Sequence, residues 1–370
     1  MKTQNSRITV GIAGAGQLGT MMILESRGLP MNFNVYSENG NGPATSIATK
    51  TYAGEDFQKF VDESDVITFE FEHINRELLQ YAESQGKLRP SFKSVELKME
   101  RHKEKLYLRE HGYPLGDFQV CNSSPEALEA AKKYDNYVIK KSEGGYDGKG
   151  QFYKGKMNEF PENDNSVYVV ERFMDFQYEA SIIAIRDHEG KESSYDPSYT
   201  LNKNGILIKN NAPLTDQEIT VQMRDIAYRL MDDLDYVGVM GIEFFVKDGT
   251  ALVNEYAPRV HNTGHHTLMG SSVSQFESHI RAICELPVSE PVTYVPSGIV
   301  NVIGTDLSPE QINSILALDN TRIYMYGKDE VKRKRKMGHI CATSHSDSGL
   351  STRMSHVMDI IYGNELHRFI

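Results

Sequence analysis

Cysteine is scarce in this chain of 370 residues: Cys121, Cys284 and Cys341 stand far apart and without the spacing of metal ligands. That excludes a disulfide framework and fits a reducing compartment, with each thiol expected as a small buried residue. Positive charge is in deficit. A formal net charge of −11 excludes a general nucleic-acid binder, which needs a basic footprint. No apolar run reaches the roughly 18–20 residues of a membrane span. The opening MKTQNSR lacks the apolar core of a signal peptide, so the expectation is a cytoplasmic protein with no membrane partner. Internal repeats and low-complexity tracts are missing too. The composition is otherwise ordinary, 39% hydrophobic and 25% charged, over a length that suggests two or three domains.

Polar chemistry is densest between Val253 and His266, VNEYAPRVHNTGHH. A strand-like run ends at Pro258, which puts Glu255 at a strand end and Arg259, His261, Asn262 and His265 on the loop beyond. A strand end fixes geometry while the loop presents side chains, as catalytic groups require. The two strands before that loop, 239–246 and 251–256, meet near Asp248-Gly249. A two-residue connection would set Glu243 against Asn254. A three-residue loop, Asp248-Gly249-Thr250, would set it against Glu255, with β-carbons ~4.5–5.5 Å apart. Facing carboxylates repel unless a cation lies between them. The three-residue loop is therefore expected, with a hard divalent ion, most simply magnesium carried in on nucleotide phosphates, held by Glu243 and Glu255.

Phosphate-binding candidates stand upstream. ITVGIAGAGQLGT, residues 8–20, reads as strand, glycine turn and helix, with Gly14, Gly16 and Gly19 in GxGxxG and Glu38 after a second strand. This is the dinucleotide fingerprint, so a nicotinamide-dependent oxidoreductase is one reading, although the segment after Glu38 offers no clear third strand. In DVITFEFEH, period-two alternation places Glu70 and Glu72 on one strand face. Residues 93–111 read as one charged helix, mostly solvated. Next, the strand YVIK ends at Lys140, and Gly144, Gly145, Gly148 and Gly150 follow around Tyr146, Asp147 and Lys149. Four glycines in seven residues make a flap, around 142–151, whose amides can close over phosphates. Glu171 and Glu179 flank a break between two further strands, a hinge suited to an adenosine. Residues 215–234 carry an apolar stripe at helical spacing and belong to the core. Near the end, VKRKRK at 331–336 lies between YGK and MGH, which suggests a basic hairpin for a substrate phosphate.

The order of GAGQLG, GGYDGKGQ (144–151), NEYAPRVHNTGHH (254–266), SQFESHIRAI (274–283) and YGKDEVKRKRKMGH (326–339) resembles the N5-carboxyaminoimidazole ribonucleotide synthetase family of ATP-grasp enzymes, from about residue 8 to 345. The formate-dependent glycinamide ribonucleotide transformylases share the proline-arginine-histidine loop but favour Asp where Asn262 stands, and biotin carboxylases carry an asparagine where Ala257 stands. The resemblance implies an α/β and α+β fold. It would comprise a Rossmann-like pre-ATP-grasp domain (1–92), an ATP-grasp domain (93–295) and a small C-terminal β-rich domain (296–370). It implies a ligase that uses ATP and magnesium to join bicarbonate to 5-aminoimidazole ribonucleotide through carboxyphosphate, as a homodimer functionally linked to the mutase that rearranges the product.

Residue by residue, the resemblance makes Lys105 and Lys140 phosphate lysines, and Gly144, Gly145, Tyr146, Gly148 and Gly150 the nucleotide flap. Glu171, Arg172 and Phe173 become the adenine hinge, Glu179 the ribose acceptor, Asn254 and Glu255 further ATP contacts, and Glu243 and Glu255 the metal ligands. Arg259, His261 and Asn262 would hold bicarbonate, and Asp147 the acceptor amine. Gln17, Glu72, Tyr146, Lys149, Lys328 and Arg335 would meet the ribonucleotide. Three positions depart from the family. Lys149 stands for an arginine, His73 for a frequent asparagine, and Lys332-Arg333-Lys334-Arg335-Lys336 for RPGRK, without its Pro-Gly turn.

Overall fold

The structure, a computed structural model, describes residues 7–144, 150–155, 157 and 160–370. Four parallel strands form the first sheet, in the order Lys50–Ala53, Met31–Ser37, Ile8–Ala13, Val66–Phe69. Lys50–Ala53 is the third strand that the turn-rich segment after Glu38 had concealed. Its register on Asn34–Ser37 is parallel, and only Tyr52 of its four residues is buried, so no apolar run announces it.

The glycine turn of this sheet holds a carboxylate of the chain itself. The strand Val66–Phe69 stops one residue before Glu70, so Glu70 and Glu72 do not share a strand face. Glu70 turns back and accepts hydrogen bonds from Gly16 N and, at 2.7 Å, Gly19 N at the start of the helix Gln17–Glu25. A β-carbon at Gly14 or Gly16 would collide with that side chain. Helix N-terminal amides attract anions, and here the anion is internal. A dinucleotide phosphate has no room there, which removes the oxidoreductase reading.

The charged segment 93–111 is two helices, Phe92–Met99 and Arg101–Glu110, broken where Glu100 adopts extended backbone (φ −126°, ψ 104°). The break turns charges inward: Glu104 and Lys105 are buried and Lys98 and Arg101 nearly so, so much of this segment is not a solvated face. A small antiparallel sheet follows, ordered Phe118–Cys121, Tyr168–Arg172, Tyr137–Lys141, Gln151–Tyr153.

The largest sheet runs Thr250–Ala257, Gly238–Lys247, Tyr178–Arg186, Ser198–Lys203, Ile206–Ala212, Ser297–Ile303, Lys336–Thr343, Thr321–Met325. The C-terminal strands are thus built onto the central sheet, through the pairing of Ile206–Ala212 with Ser297–Ile303. The amphipathic helix Gln217–Asp233 covers one face with Ile219, Met223, Ile226 and Leu230, as its periodicity predicts. The first unit is fused to the central one by a shared apolar core. Leu18, Met21 and Met22 of the glycine-turn helix pack in one cluster with Phe276 and Ile280 of the helix Gln275–Ile283. No helix among the described residues is long and apolar enough to cross a membrane.

The basic run 331–336 lies in the connection between Thr321–Met325 and Lys336–Thr343, which pair antiparallel as a hairpin. The turn survives without proline or glycine. Lys334 takes φ 69° and Arg335 N donates to Lys332 O at 3.0 Å, so a lysine occupies the left-handed position.

Candidate active site

The hairpin that carries Glu243 and Glu255 reaches the expected pairing by another route. Its loop has two residues, Asp248 (φ 49°) and Gly249 (φ 74°), flanked by the pair Lys247–Thr250. Both positive φ values are those of the tight hairpin turn whose twist suits the strands. That register would set Glu243 against Asn254. A bulge at Asn254 then shifts it by one, so that Phe244 pairs with Val253 but Glu243 with Glu255. An extra residue leaves its backbone free of the ladder, and Asn254 uses the freedom: its carbonyl accepts from Lys105 Nζ at 2.9 Å. The three-residue loop was wrong; the opposed carboxylates stand.

The two glutamates differ in surroundings. Glu255 Oε2 lies 3.0 Å from Lys98 Nζ and 3.6 Å from Arg101 Nη1. Burial opposes its ionisation, but Lys98 and then Arg101 outweigh burial and hold its carboxyl well below the usual range. Among the described residues Glu243 forms no ion pair with a lysine or arginine, and Lys336 and Lys98 act on it only as weaker charges. Burial first, then the facing Glu255 and Glu179, push its carboxyl well up. His261 Nε2 lies 3.8 Å from Glu243 Oε1. Burial, then Arg259 and Lys336, lower His261 to about 3, so the imidazole is neutral and this contact is no ion pair. Among the described residues only Glu255 of the two is ion-paired to a lysine or arginine, so the opposed carboxylates are a donor set of hard oxygens suited to a cation. Among the described residues no third His, Cys, Asp or Glu completes a protein-only metal cage. Magnesium fits such a set, because it keeps waters and substrate phosphates and takes one or two carboxylates from the protein.

The other wall is cationic. Lys140 Nζ lies 2.6 Å from Glu171 Oε2 and Lys105 Nζ 3.5 Å from Oε1, all three being buried. Burial lowers Lys140, partly offset by Glu171. Glu171 is held low because Lys105 and Lys140 together exceed the cost of its burial. Glu179 Oε2 accepts from Asn202 Nδ2 at 3.1 Å, and burial raises its carboxyl.

The loop after the hairpin is held from three sides. Gln275, fully buried, accepts from His261 N at 2.9 Å and donates to His261 O at 2.6 Å. Gly241 lets the loop approach, since a β-carbon there would meet the His261 side chain. Asn262 exchanges amide hydrogen bonds with Asn301 of the C-terminal strand, at 2.7 and 3.2 Å. Arg259 is gripped by Glu72 of the first unit, Nη2 to Oε1 at 2.9 Å.

One cavity of about 1050 Å³ joins these walls. Lys105, Lys140, Glu171, Arg172, Phe173, Glu179, Glu243, Asn254 and Glu255 line one part, and Arg259, His261, Asn262, Gln17, Glu72, Lys328 and Arg335 the rest. Lys328 donates to Lys336 O at 2.7 Å and Arg335 to Glu330 O at 2.9 Å. Gly144 (φ 72°) and Gly150 (φ 66°) bracket the flap, whereas Gly145, Tyr146, Asp147, Gly148 and Lys149 lie outside the described residues. Sequence reasoning missed Lys98, Arg101, Lys336, Gln275 and Asn301. Lys98, Arg101 and Lys105 fall at i, i+3 and i+7 in the sequence, but the break at Glu100 puts Lys98 on one helix and Arg101 and Lys105 on the next, a convergence that the charge density of the segment obscured.

A cleft with Lys140 on one sheet, Lys105 on a helix beside it and a facing carboxylate pair on another sheet is that of an ATP-grasp ligase. Family models agree: an ATP-grasp domain matches residues 106–276, a ribonucleotide synthetase preATP-grasp domain residues 7–98, and a phosphoribosylaminoimidazole carboxylase C-terminal domain residues 297–353. The chain is 44% identical over 362 residues to the N5-carboxyaminoimidazole ribonucleotide synthase of Saccharolobus solfataricus, covering 96% of this chain and 97% of that one. It is similar to the crystal structure of the phosphoribosylaminoimidazole carboxylase ATPase subunit from Aquifex aeolicus, with TM-score 0.84, 37% identity and coverage of 96% and 100%. It is also similar to the Aspergillus clavatus N5-carboxyaminoimidazole synthase in complex with ADP and 5-aminoimidazole ribonucleotide, with TM-score 0.85, 25% identity and coverage of 96% and 98%. The chain belongs to the N5-carboxyaminoimidazole ribonucleotide synthase family.

Proposed function

We propose that this ligase carboxylates 5-aminoimidazole ribonucleotide on N5 with ATP and bicarbonate, in purine biosynthesis. The observation that carries the reading is the placement of Glu243 opposite Glu255, in the same cavity as Arg259 and Lys140. ATP would lie with its adenine at Glu171–Phe173, its ribose on Glu179 and its phosphates under Lys140, Lys105 and Arg101. Glu243 and Glu255 would hold magnesium, which neutralises phosphate charge when bound. Phosphoryl transfer asks mainly for positioning and charge neutralisation.

A bicarbonate oxygen, oriented by Arg259, His261 and Asn262, bonds to the γ-phosphorus while the bond to the β-phosphate oxygen breaks and ADP leaves. Carboxyphosphate then parts at its carbon–oxygen bond into carbon dioxide and phosphate. The acceptor amine bonds to carbon and gives up a proton, to phosphate or to Asp147. The neutral His261 suits a role as a hydrogen-bonding group, its Nδ1 in a hydrogen bond with Thr263 Oγ1 at 2.8 Å. Carboxyphosphate hydrolyses readily in water, so a flap at 144–150 closing over it has a purpose. Gln17, Glu72, Lys328 and Arg335, with Tyr146 and Lys149, would hold the ribonucleotide. The domain limits 1–92, 93–295 and 296–370, a cytoplasmic homodimer and a link to the product's mutase complete the proposal.

The test is ADP release in bicarbonate buffer with magnesium, with and without 5-aminoimidazole ribonucleotide. Strong dependence on that nucleotide is expected. No dependence, together with turnover on glycinamide ribonucleotide and formate, would transfer the chain to the transformylase reading.

A further inference from the structure

Arg259 and Glu72 come from different units and stand 187 residues apart, yet they form a close and nearly buried ion pair. Both carboxylate oxygens meet one nitrogen: Nη2 is 2.9 Å from Oε1 and 3.1 Å from Oε2. The side chains are 14% and 8% exposed. Nη1 donates to Val260 O at 2.9 Å, while Nε is buried and has no hydrogen-bond partner among the described residues. The guanidinium therefore keeps an unused donor beside Nη2 and has its charge offset by the first unit. Glu70, two residues away, is not available for this work, being held by Gly16 and Gly19.

We infer that Glu72 is a positioning residue that keeps Arg259 electrically occupied until the acceptor nucleotide is seated, so that ATP cleavage on bicarbonate is tied to the presence of the amine. This rests on the function proposed above. A small anion is drawn weakly to an arginine already neutralised by a carboxylate in a low-dielectric site. The pair does not open on its own, because each charge would be left buried without a partner. It opens when both charges gain new ones. A nucleotide entering the part of the cavity lined by Gln17, Glu72 and Lys328 offers hydroxyl and amine donors to Glu72. Bicarbonate then takes the released edge of Arg259, with two parallel N–H donors. Without the device, bicarbonate would attack the γ-phosphate, ADP would leave, and carboxyphosphate would fall apart to carbon dioxide and phosphate with no amine to receive the carbon. Coupling between two sites is typically about 5–150-fold, enough to suppress that loss.

The test compares wild type with Glu72→Gln, which keeps size and an oxygen acceptor but loses the charge, and Glu72→Asp, which keeps the charge at shorter reach. In Glu72→Gln, nucleotide-independent ADP release should rise about tenfold or more, KM for bicarbonate should fall, and ADP formed per carboxylated product should exceed one. Glu72→Asp should lie between the two. A merely structural role would lower kcat without lowering KM for bicarbonate or moving the ratio. If Glu72→Gln does not fold, Glu72→Asp decides alone, a ratio of one overturning the inference and a raised ratio supporting it. The inference is also overturned if Glu72→Gln only weakens nucleotide binding while nucleotide-independent release stays at the wild-type level. If wild-type ADP release itself ignores the nucleotide, the proposed function fails instead.

Discussion

Glu70 and Glu72 stand two residues apart in sequence; Glu243 and Glu255 stand on two strands and meet only through pairing. The fold treats the two acidic pairs in opposite ways. It separates the first, giving Glu70 the amides of a helix start and Glu72 the guanidinium of Arg259. It brings the second together and, among the described residues, sets cations against Glu255, Lys98 at 3.0 Å and Arg101 at 3.6 Å, but pairs none with Glu243. Glu70, whose charge is answered by fixed backbone amides, holds structure in place. The facing of Glu243 and Glu255, with no lysine or arginine paired to Glu243 among the described residues, marks where a cation from outside fits. Sequence proximity therefore misleads, and the discriminating quantity is the local balance of charge.

The comparison breaks first at the second pair. Glu255→Gln should lower turnover by at least about 10²–10³-fold, with an unchanged circular dichroism spectrum; a fully active variant would remove Glu255 from the metal site. Lys98→Met should bring the surroundings of Glu255 closer to those of Glu243, leaving it Arg101 at 3.6 Å as its cation. It leaves Glu104, 1% exposed, without its partner at 3.0 Å, and should cost about 3–5 kcal/mol in denaturant unfolding. A loss under 1 kcal/mol would show that Lys98 is only a surface cation. Glu70→Gln tests the first pair. It weakens charge-assisted hydrogen bonds to Gly16 and Gly19 and should cost about 1.5–3 kcal/mol without creating affinity for NAD; tight NAD binding would revive the dinucleotide reading.

The smallest effect is in pH dependence. Glu243 titrates higher in the folded chain than in the unfolded one, so the folded chain binds the extra proton. Its contribution is greatest at acid pH and is lost as pH climbs from 4.5 past neutrality. The buried histidines act in the other sense. His261 and His339, each lowered to about 3, contribute stability above 6.5 that is lost as pH falls below it. The difference in melting temperature between wild type and Glu243→Gln, measured without metal, should therefore turn against wild type as pH rises from 6 to 9. A flat difference would mean that Glu243 is not electrostatically strained.

Much of this was legible in the sequence, and the failures have physical causes. Strand patterns located Glu243, Glu255, Lys140 and the loop of Arg259, because alternation and strand ends are local properties. The facing of Glu243 and Glu255 was anticipated from their mutual repulsion, but the loop length was not. A bulge at Asn254 leaves no pattern in residue types, because its cause is the buried Lys105 that its carbonyl serves. The strand Lys50–Ala53 escaped because an edge strand with one buried residue need not be apolar. Lys98 and Arg101 escaped because a charged helix looks solvated until a break at Glu100 tips it inward. Gln275 escaped because a lone glutamine carries no signature, although it bridges His261 N and O and packs where a β-carbon of Gly264 would collide with it.

Diffraction from a crystal grown with ADP and manganese, recorded at the manganese edge, tests the central claim most directly. The account predicts an anomalous peak between the Glu243 and Glu255 carboxylates, bridged to the β-phosphate of ADP. A peak elsewhere, with those two glutamates still paired only to each other and to Lys98, would contradict it.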